Sequence, residues 1–309
     1  MTFAILCSGQ GAQHRDMFAL TAQAPEAAGV FAAAARALGA DPRDFVRTRD
    51  EAALHANAVG QTLCVTQALA GFAALNLAPA TRLTIAGYSI GELAAWGCAG
   101  LFSPQATIEL ARERAALMDA ASGPDDGLAF VRGFGRDAVD ELCARHAAAI
   151  AIVNPGAVFV LGGARENLRA LCAEALRLGA ANAAPLKVNV AAHTPRLAGA
   201  SASFRKALAA QSVGSRAAGV RLVSGVDAGF VQGVEAGLDK LAAQISQTID
   251  WAGCLDACVE AGATAFLELG PGRALAAMVE AAYPGVRARS LEDFRGIEGA
   301  RDWLAQSAR

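Results

Sequence analysis

Ser89 stands in Gly87-Tyr88-Ser89-Ile90-Gly91, a G-x-S-x-G pattern, where an apolar strand-like run at 82–88 gives way to a helical one. Strand, tight turn and helix form the context that a nucleophile elbow requires. Glycines on either side relieve crowding at such a turn. The hydroxyl can then stand out at the helix N-terminus, where the helix dipole and free N–H groups favour developing negative charge. A serine N-cap flanked by glycines has the same letters without the chemistry, so the motif needs a partner.

A serine nucleophile needs a base. His193, in "VNVAAHTPRL", sits where a strand-like run ends and a helix begins near Thr194-Pro195; loop ends facing a domain junction often hold catalytic side chains. His146 closes an amphipathic helical stretch and suits a C-terminal cap. His14 and His55 lie in polar contexts at helix starts and read as solvated. The four histidines form no ligand cluster, so no metal is expected. The first strand runs into "CSGQGAQ", where a Gly9-Gln10-Gly11 turn lets backbone N–H groups approach a ligand closely.

Positioning these residues falls to short β-like runs at 2–6, 82–88, 220–224 and 264–269, separated by helical patterns at 16–38, 57–77, 90–121, 234–247 and 251–261. That alternation predicts an α/β fold with a largely parallel sheet. After the turn-rich "SGPDDG" come a strand "LAFVRGF", a helix around 136–147, the facing runs "AIAIVN" and "AVFVLGG", a helix around 165–178 and a strand "APLKVNV". The order β-α-β-β-α-β is that of a ferredoxin-like unit. The expected organisation is therefore a small subdomain at 125–190, inserted into a large domain formed by 1–124 and 191–309.

The 309 residues are 54% hydrophobic and 18% charged, with a formal net charge of −2. Such a chain can bury a large core, and without a long Lys/Arg run it argues against a nucleic-acid or anionic-membrane partner. The N-terminal "MTFAILCSGQG" lacks a basic n-region, so no signal peptide is expected. The most apolar stretch, 58–78, is broken by Gln61, Thr62, Thr66 and Gln67 and reads as a buried core helix, not a membrane span. Seven cysteines without CxxC spacing predict reduced thiols and a cytoplasmic protein.

In combination, "SGQGAQ", "GYSIGELAAW", "RERAALM", "VAAH", "TIDW" and "ELGPG" resemble, in order, bacterial malonyl-CoA:acyl-carrier-protein transacylases and polyketide-synthase acyltransferase domains. The resemblance runs from Gly9 to Gly272. It implies an α/β-hydrolase-like large domain with the inserted ferredoxin-like subdomain, malonyl-CoA as donor, and an acyl carrier protein bearing a phosphopantetheine-type thiol arm as acceptor, with no cofactor. By the same resemblance Ser89 is the acylated nucleophile and His193 its base and then acid. The backbone N–H groups of Gln10 and Ile90 form the oxyanion hole. Arg114 binds the malonyl carboxylate through two parallel hydrogen bonds, with neighbouring Arg112 as the competing assignment. Gln61 lines the pocket and Asn154 lies near it. The family orients its histidine with a backbone carbonyl, at a position that by the resemblance corresponds to Asp250; that residue has three options, its carbonyl, its carboxylate, or no part at all.

Two departures stand out. Tyr88 occupies a position usually held by His, and Cys7-Ser8-Gly9 replaces a motif that often carries an aromatic and a proline. The variant "GYSIGELAAWG" is most similar to the epsilon subunit of malonate decarboxylase, a transacylase that primes the decarboxylase's own carrier. A serine hydrolase of thioesters or esters would use the same nucleophile with water as acceptor. A non-catalytic scaffold is disfavoured by the joint presence of Ser89, His193, Gln10 and Arg114.

Overall fold

The computed structural model describes residues 2–78 and 81–307. Among the described residues ten strands run in chain order: β1 (Thr2–Cys7), β2 (Leu83–Gly87), β3 (Asp126–Arg132), β4 (Ala149–Asn154), β5 (Val158–Ala164), β6 (Asn182–Pro185), β7 (Val220–Leu222), β8 (Ile249–Asp250), β9 (Ala263–Leu269) and β10 (Arg287–Ser290). They form two sheets within a mixed α/β architecture, ordered β10-β9-β1-β2-β7 and β6-β3-β5-β4-β8.

Every pairing in the first sheet is parallel, and both its faces are covered, as such sheets require. The two-residue alternation of β1 divides its side chains between two cores. Phe3, Ile5 and Cys7 join the core containing the helices Asn57–Leu75 and Ile90–Cys98. Ala4 and Leu6 face the opposite core, with Trp251 and Leu255 of the helix Trp251–Glu260. Helix Asn57–Leu75 is long and apolar enough to cross a membrane, yet most of it is buried inside the protein. Cys7 pairs with Gly87 on one side and Leu269 on the other, so β1, β2 and β9 end level. The turns that follow these strands, at Ser8–Gln10, Tyr88–Ser89 and Gly270–Gly272, are thereby gathered at the carboxyl edge, where ligands of open α/β sheets bind.

In the second sheet β3, β4, β5 and β6 pair antiparallel, with helices Arg136–Arg145 and Arg165–Arg177 forming a separate core on one face. Leu128, Ile152 and Val160 turn the other way and join the core that holds Trp251. A fifth strand, β8, comes from outside this unit and lies parallel to β4.

Several elements differ from the sequence expectation. The helix expected at 16–38 is a series of turns to residue 23, a 3-10 turn at Pro25–Ala27 and a helix at Ala28–Leu38. The pattern read as one helix over 90–121 is two, Ile90–Cys98 and Pro104–Ala121. The second is restarted by Ser103, whose side chain accepts from Ala106 N–H at 3.1 Å, and by Pro104 at its first position. The strand expected to run to Val190 stops at Pro185. Strand β10 and the helix Ile297–Ser307 have no counterpart in that expectation.

Candidate active site

The turn after β2 is as tight as its glycines suggest. A methyl on Gly87 would lie 2.1 Å from the Gly91 carbonyl carbon and oxygen, and one on Gly91 would lie 2.0 Å from the Cys7 carbonyl oxygen. Only hydrogen fits at either place. Between them Ser89 has φ 56° and ψ −119°, a region that costs a non-glycine residue on the order of 1–3 kcal/mol. The strained backbone swings the side chain off the helix: Ser89 does not cap it, and its Oγ lies 2.8 Å from His193 Nε2.

His193 is also left-handed, with φ 61°, and only 1% exposed. Its Nδ1 lies 2.5 Å from the main-chain carbonyl of Gln244, at the end of helix Val234–Ala243, so the ring carries its proton on Nδ1 and offers Nε2 to the serine. Burial, and secondarily the Arg114 cation, push its pKa down to about 3 against the opposing carbonyl bond. The imidazole is therefore neutral and ready to accept a proton.

This geometry corrects the assignment of Asp250. Its carboxylate caps helix Trp251–Glu260, accepting from Gly253 N–H at 3.0 Å, and its main chain pairs in β8. The histidine is oriented from Gln244, where a helix terminus leaves a carbonyl free. Between the two options of one arginine pair, Arg112 is exposed and Arg114 is 1% exposed. Arg114 donates from Nη1 to Gln61 Oε1 at 2.7 Å and from Nη2 to Gln244 Oε1 at 3.1 Å, while its Nε has no protein partner. Burial lowers its pKa to about 10, opposed by the charge of Glu92, and it remains a cation. Gln61 is itself held by Asn57, at 2.9 Å.

Gln10 lies beside the nucleophile: a methyl on its neighbour Gly9 would be 3.7 Å from Ser89 Cβ. Its side chain is exposed and donates to Asn57 O at 3.4 Å. Ile90 is buried at the first helical position, where an N–H has no partner within the helix. Asn154 ends β4, 5% exposed, with Oδ1 unpaired, and its amide faces the Tyr88 phenol. Burial pushes that phenol's pKa up to about 12, against the hydrogen bond from Asn154, and the ring packs edge-on against Trp251 at 5.3 Å. In the altered N-terminal motif, Ser8 Oγ donates to Glu268 Oε1 at 2.6 Å, tying the Gln10 loop to "ELGPG".

Two of the other histidines are engaged elsewhere: His146 pairs with Glu174 at 2.6 Å and His14 with Glu292 at 3.0 Å. Two contributors escaped sequence reasoning, Gln244 and Glu92. Each is a polar residue in an apolar run ("LAAQIS", "IGELAA"), which is the one local signal of a buried polar role.

A hydroxyl on a neutral, oriented imidazole, at a helix N-terminus and near a buried cation, is equipped for covalent acyl chemistry. The family model described as acyl transferase domain matches residues 4–289. The chain belongs to the acyl transferase domain family. This acyltransferase is 29% identical over 300 residues to the malonyl CoA-acyl carrier protein transacylase of Mycobacterium bovis, covering 94% of this chain and 96% of the relative. Its fold is similar to the crystal structure of the malonyl-CoA:acyl carrier protein transacylase of Xanthomonas oryzae pv. oryzae, with a TM-score of 0.91, 28% identity, and coverage of 98% and 99%. It is also similar to a malonyl-transacylase solved in complex with its type II PKS acyl-carrier protein, at a TM-score of 0.90, 25% identity, and coverage of 98% and 99%.

Proposed function

We propose that this acyltransferase moves a malonyl group from malonyl-CoA, through an ester on Ser89, to the thiol of an acyl carrier protein. Ser89 Oγ attacks the thioester carbonyl while His193 Nε2 takes its proton. The N–H groups of Gln10 and Ile90 hold the oxyanion, each such donor being worth about 3 kcal/mol of barrier. Collapse expels the CoA sulfur, which takes the proton from His193. The carrier's thiol then loses its proton to the same imidazole, attacks the ester, and Ser89 leaves reprotonated.

The observation that carries this reading is Arg114, buried beside the Ser89–His193 pair and held by two neutral amide oxygens, not by an ion pair. Such a cation matches an acyl group that ends in a carboxylate. A carboxylate on Arg114 would also offset the charge that depresses His193, so the correct substrate strengthens the base that activates the nucleophile. The chemistry needs no cofactor and no metal.

The finer assignments follow from particular features. We read the small sheet, ordered β6-β3-β5-β4 with both helices on one face, as a ferredoxin-like unit at 125–190, and the parallel layer as α/β-hydrolase-like. The seven cysteines are free and buried, in keeping with the cytoplasm. Tyr88 in "GYSIGELAAWG" supports priming of a malonate decarboxylase carrier.

Purified malonyl-enzyme mixed with candidate carriers and with buffer tests the acceptor. Transfer to a decarboxylase carrier's thiol should outpace hydrolysis by at least about 100-fold, since water must be excluded for transfer to win. Equal rates would turn the assignment to a thioesterase. Preference for a fatty-acid-synthesis carrier would keep the transacylase and remove the decarboxylase link.

A further inference from the structure

The elbow contains a second sequence pattern, Ser89-x-x-Glu92, the signature of a capping box at a helix start. Neither side chain caps. Ser89 turns to His193, and Glu92, 1% exposed, turns inward and accepts from Gly225 N–H at 3.2 Å and Gln244 Nε2 at 3.3 Å, both on Oε2. Its Oε1 has no partner. A carboxyl diverted from its local bond and buried at such cost needs a compensating task.

Gln244 shows what the task is. Its main-chain carbonyl accepts from His193 Nδ1, its Oε1 from Arg114, and its Nε2 donates to the Ser89 carbonyl at 2.9 Å as well as to Glu92. One buried side chain thus touches the nucleophile's backbone and the cation, while its main chain holds the base. An amide can be turned over by half a rotation. Turned over, it would aim N–H groups at a guanidinium and an oxygen at two acceptors, exchanging attraction for repulsion at each contact. We propose that Glu92 is a positioning residue: its carboxyl locks the Gln244 amide with the oxygen toward Arg114 and the N–H toward Ser89. This rests on the roles given above to Ser89, His193 and Arg114.

Gly225 belongs to the same device, because a methyl there would lie 2.9 Å from Glu92 Oε2 and displace it. Oε2 can accept in either protonation state, because the unpartnered Oε1 is free to carry a proton. Burial raises the Glu92 pKa to about 8, and the task survives that shift. Glutamine can therefore replace Glu92, presenting its own oxygen to Gly225 and Gln244, while an apolar residue cannot.

The test is a double-mutant cycle on the full chain, comparing Glu92→Gln and Glu92→Leu with and without Gln244→Met. Three rates at Ser89 are read: acylation by malonyl-CoA, acylation by acetyl-CoA, and labelling by a fluorophosphonate, which reports the Ser89–His193 pair whatever the natural substrate. Glu92→Gln should stay within about threefold of wild type, whereas Glu92→Leu should lower malonyl acylation about 100-fold and the other two about tenfold. In the Gln244→Met background, Glu92→Leu should cost less than about threefold, because the residue it acts through is gone. Glu92→Ala serves if the leucine variant does not fold. Equal losses from Glu92→Gln and Glu92→Leu, unchanged rates in both, or the same loss with and without Gln244→Met would overturn the proposal. A wild-type serine labelled by fluorophosphonate but by neither thioester would refute acyl transfer, and the fluorophosphonate arm would still decide the role of Glu92.

Discussion

In the parallel sheet, three strands end level and a set of buried polar side chains converges on that edge: Gln61, Glu92, Arg114, His193 and Gln244, all at most 1% exposed. In the small unit, among the described residues 125–190, only Asp126 and Asn154 are buried polar side chains, and Asp126 is engaged by Arg196 at 2.8 Å. The left-handed residues differ in the same sense. Ala147 and Ala157 of the small unit sit in a turn after a helix and in a hairpin, but Ser89 and His193 face each other across the site. Burying polar groups and straining backbone both cost stability, and at the Ser89–His193 pair the two costs coincide. The small sheet contributes a packed wall: Leu128, Ile152 and Val160 join the core that holds Trp251, beside Asn154 and the seam at β8.

Removing the cation should break this contrast most severely. Truncating one partner of a buried charge pair costs about 2–5 kcal/mol, or roughly 30- to several-thousand-fold. Arg114→Ala should lower kcat/KM for malonyl-CoA within that range and leave acetyl-CoA unchanged or improved, while exposed Arg112→Ala should affect neither. The pH profile sharpens the point. His193 must be neutral to act, so activity falls as pH drops through its pKa. Wild type should keep the acid limb well below the usual histidine range, near the depressed value of about 3. With Arg114 gone, one downward push is lost and the limb should move toward neutrality; burial, the larger cause, keeps it below 6.5. A limb at the same pH in both chains would remove Arg114 from the electrostatics of the base.

The elbow was legible because its signal is local: glycines, serine, strand and helix lie within a dozen residues. His193 was suggested by its place where a strand-like run gives way to a helix, and the family resemblance gave it its role. Gln244 was not, since its contacts span 51, 130, 152 and 155 residues and no spacing rule connects them. The same locality explains the fold. The βαββαβ order could be read from alternation and turns, but β8 has only two residues and pairs by tertiary packing. Strand β10 reads Arg-Ala-Arg-Ser because it is a sheet edge, where charged residues replace the apolar alternation. The break between Cys98 and Pro104 did carry its own marks, Ser103 and Pro104, beneath an uninterrupted apolar pattern.

The smallest effect belongs to the seam. Asp250 joins β8 to the small sheet and caps a helix, while the base is oriented from Gln244. Asp250→Ala should lose a cap, about 1 kcal/mol, or about 2 °C in Tm. Its kcat/KM should remain within about threefold of wild type, since the chemistry lies elsewhere. A loss in the hundreds would return the histidine's orientation to Asp250.

The central claim is a covalent malonyl ester on Ser89, and intact mass of the protein after incubation with malonyl-CoA alone tests it most directly. One malonyl group should add to the wild-type chain, peptide mapping should place it on Ser89, and Ser89→Ala should acquire none. Undiminished malonylation of the alanine variant, or no adduct on a wild-type chain that releases free CoA, would contradict the account.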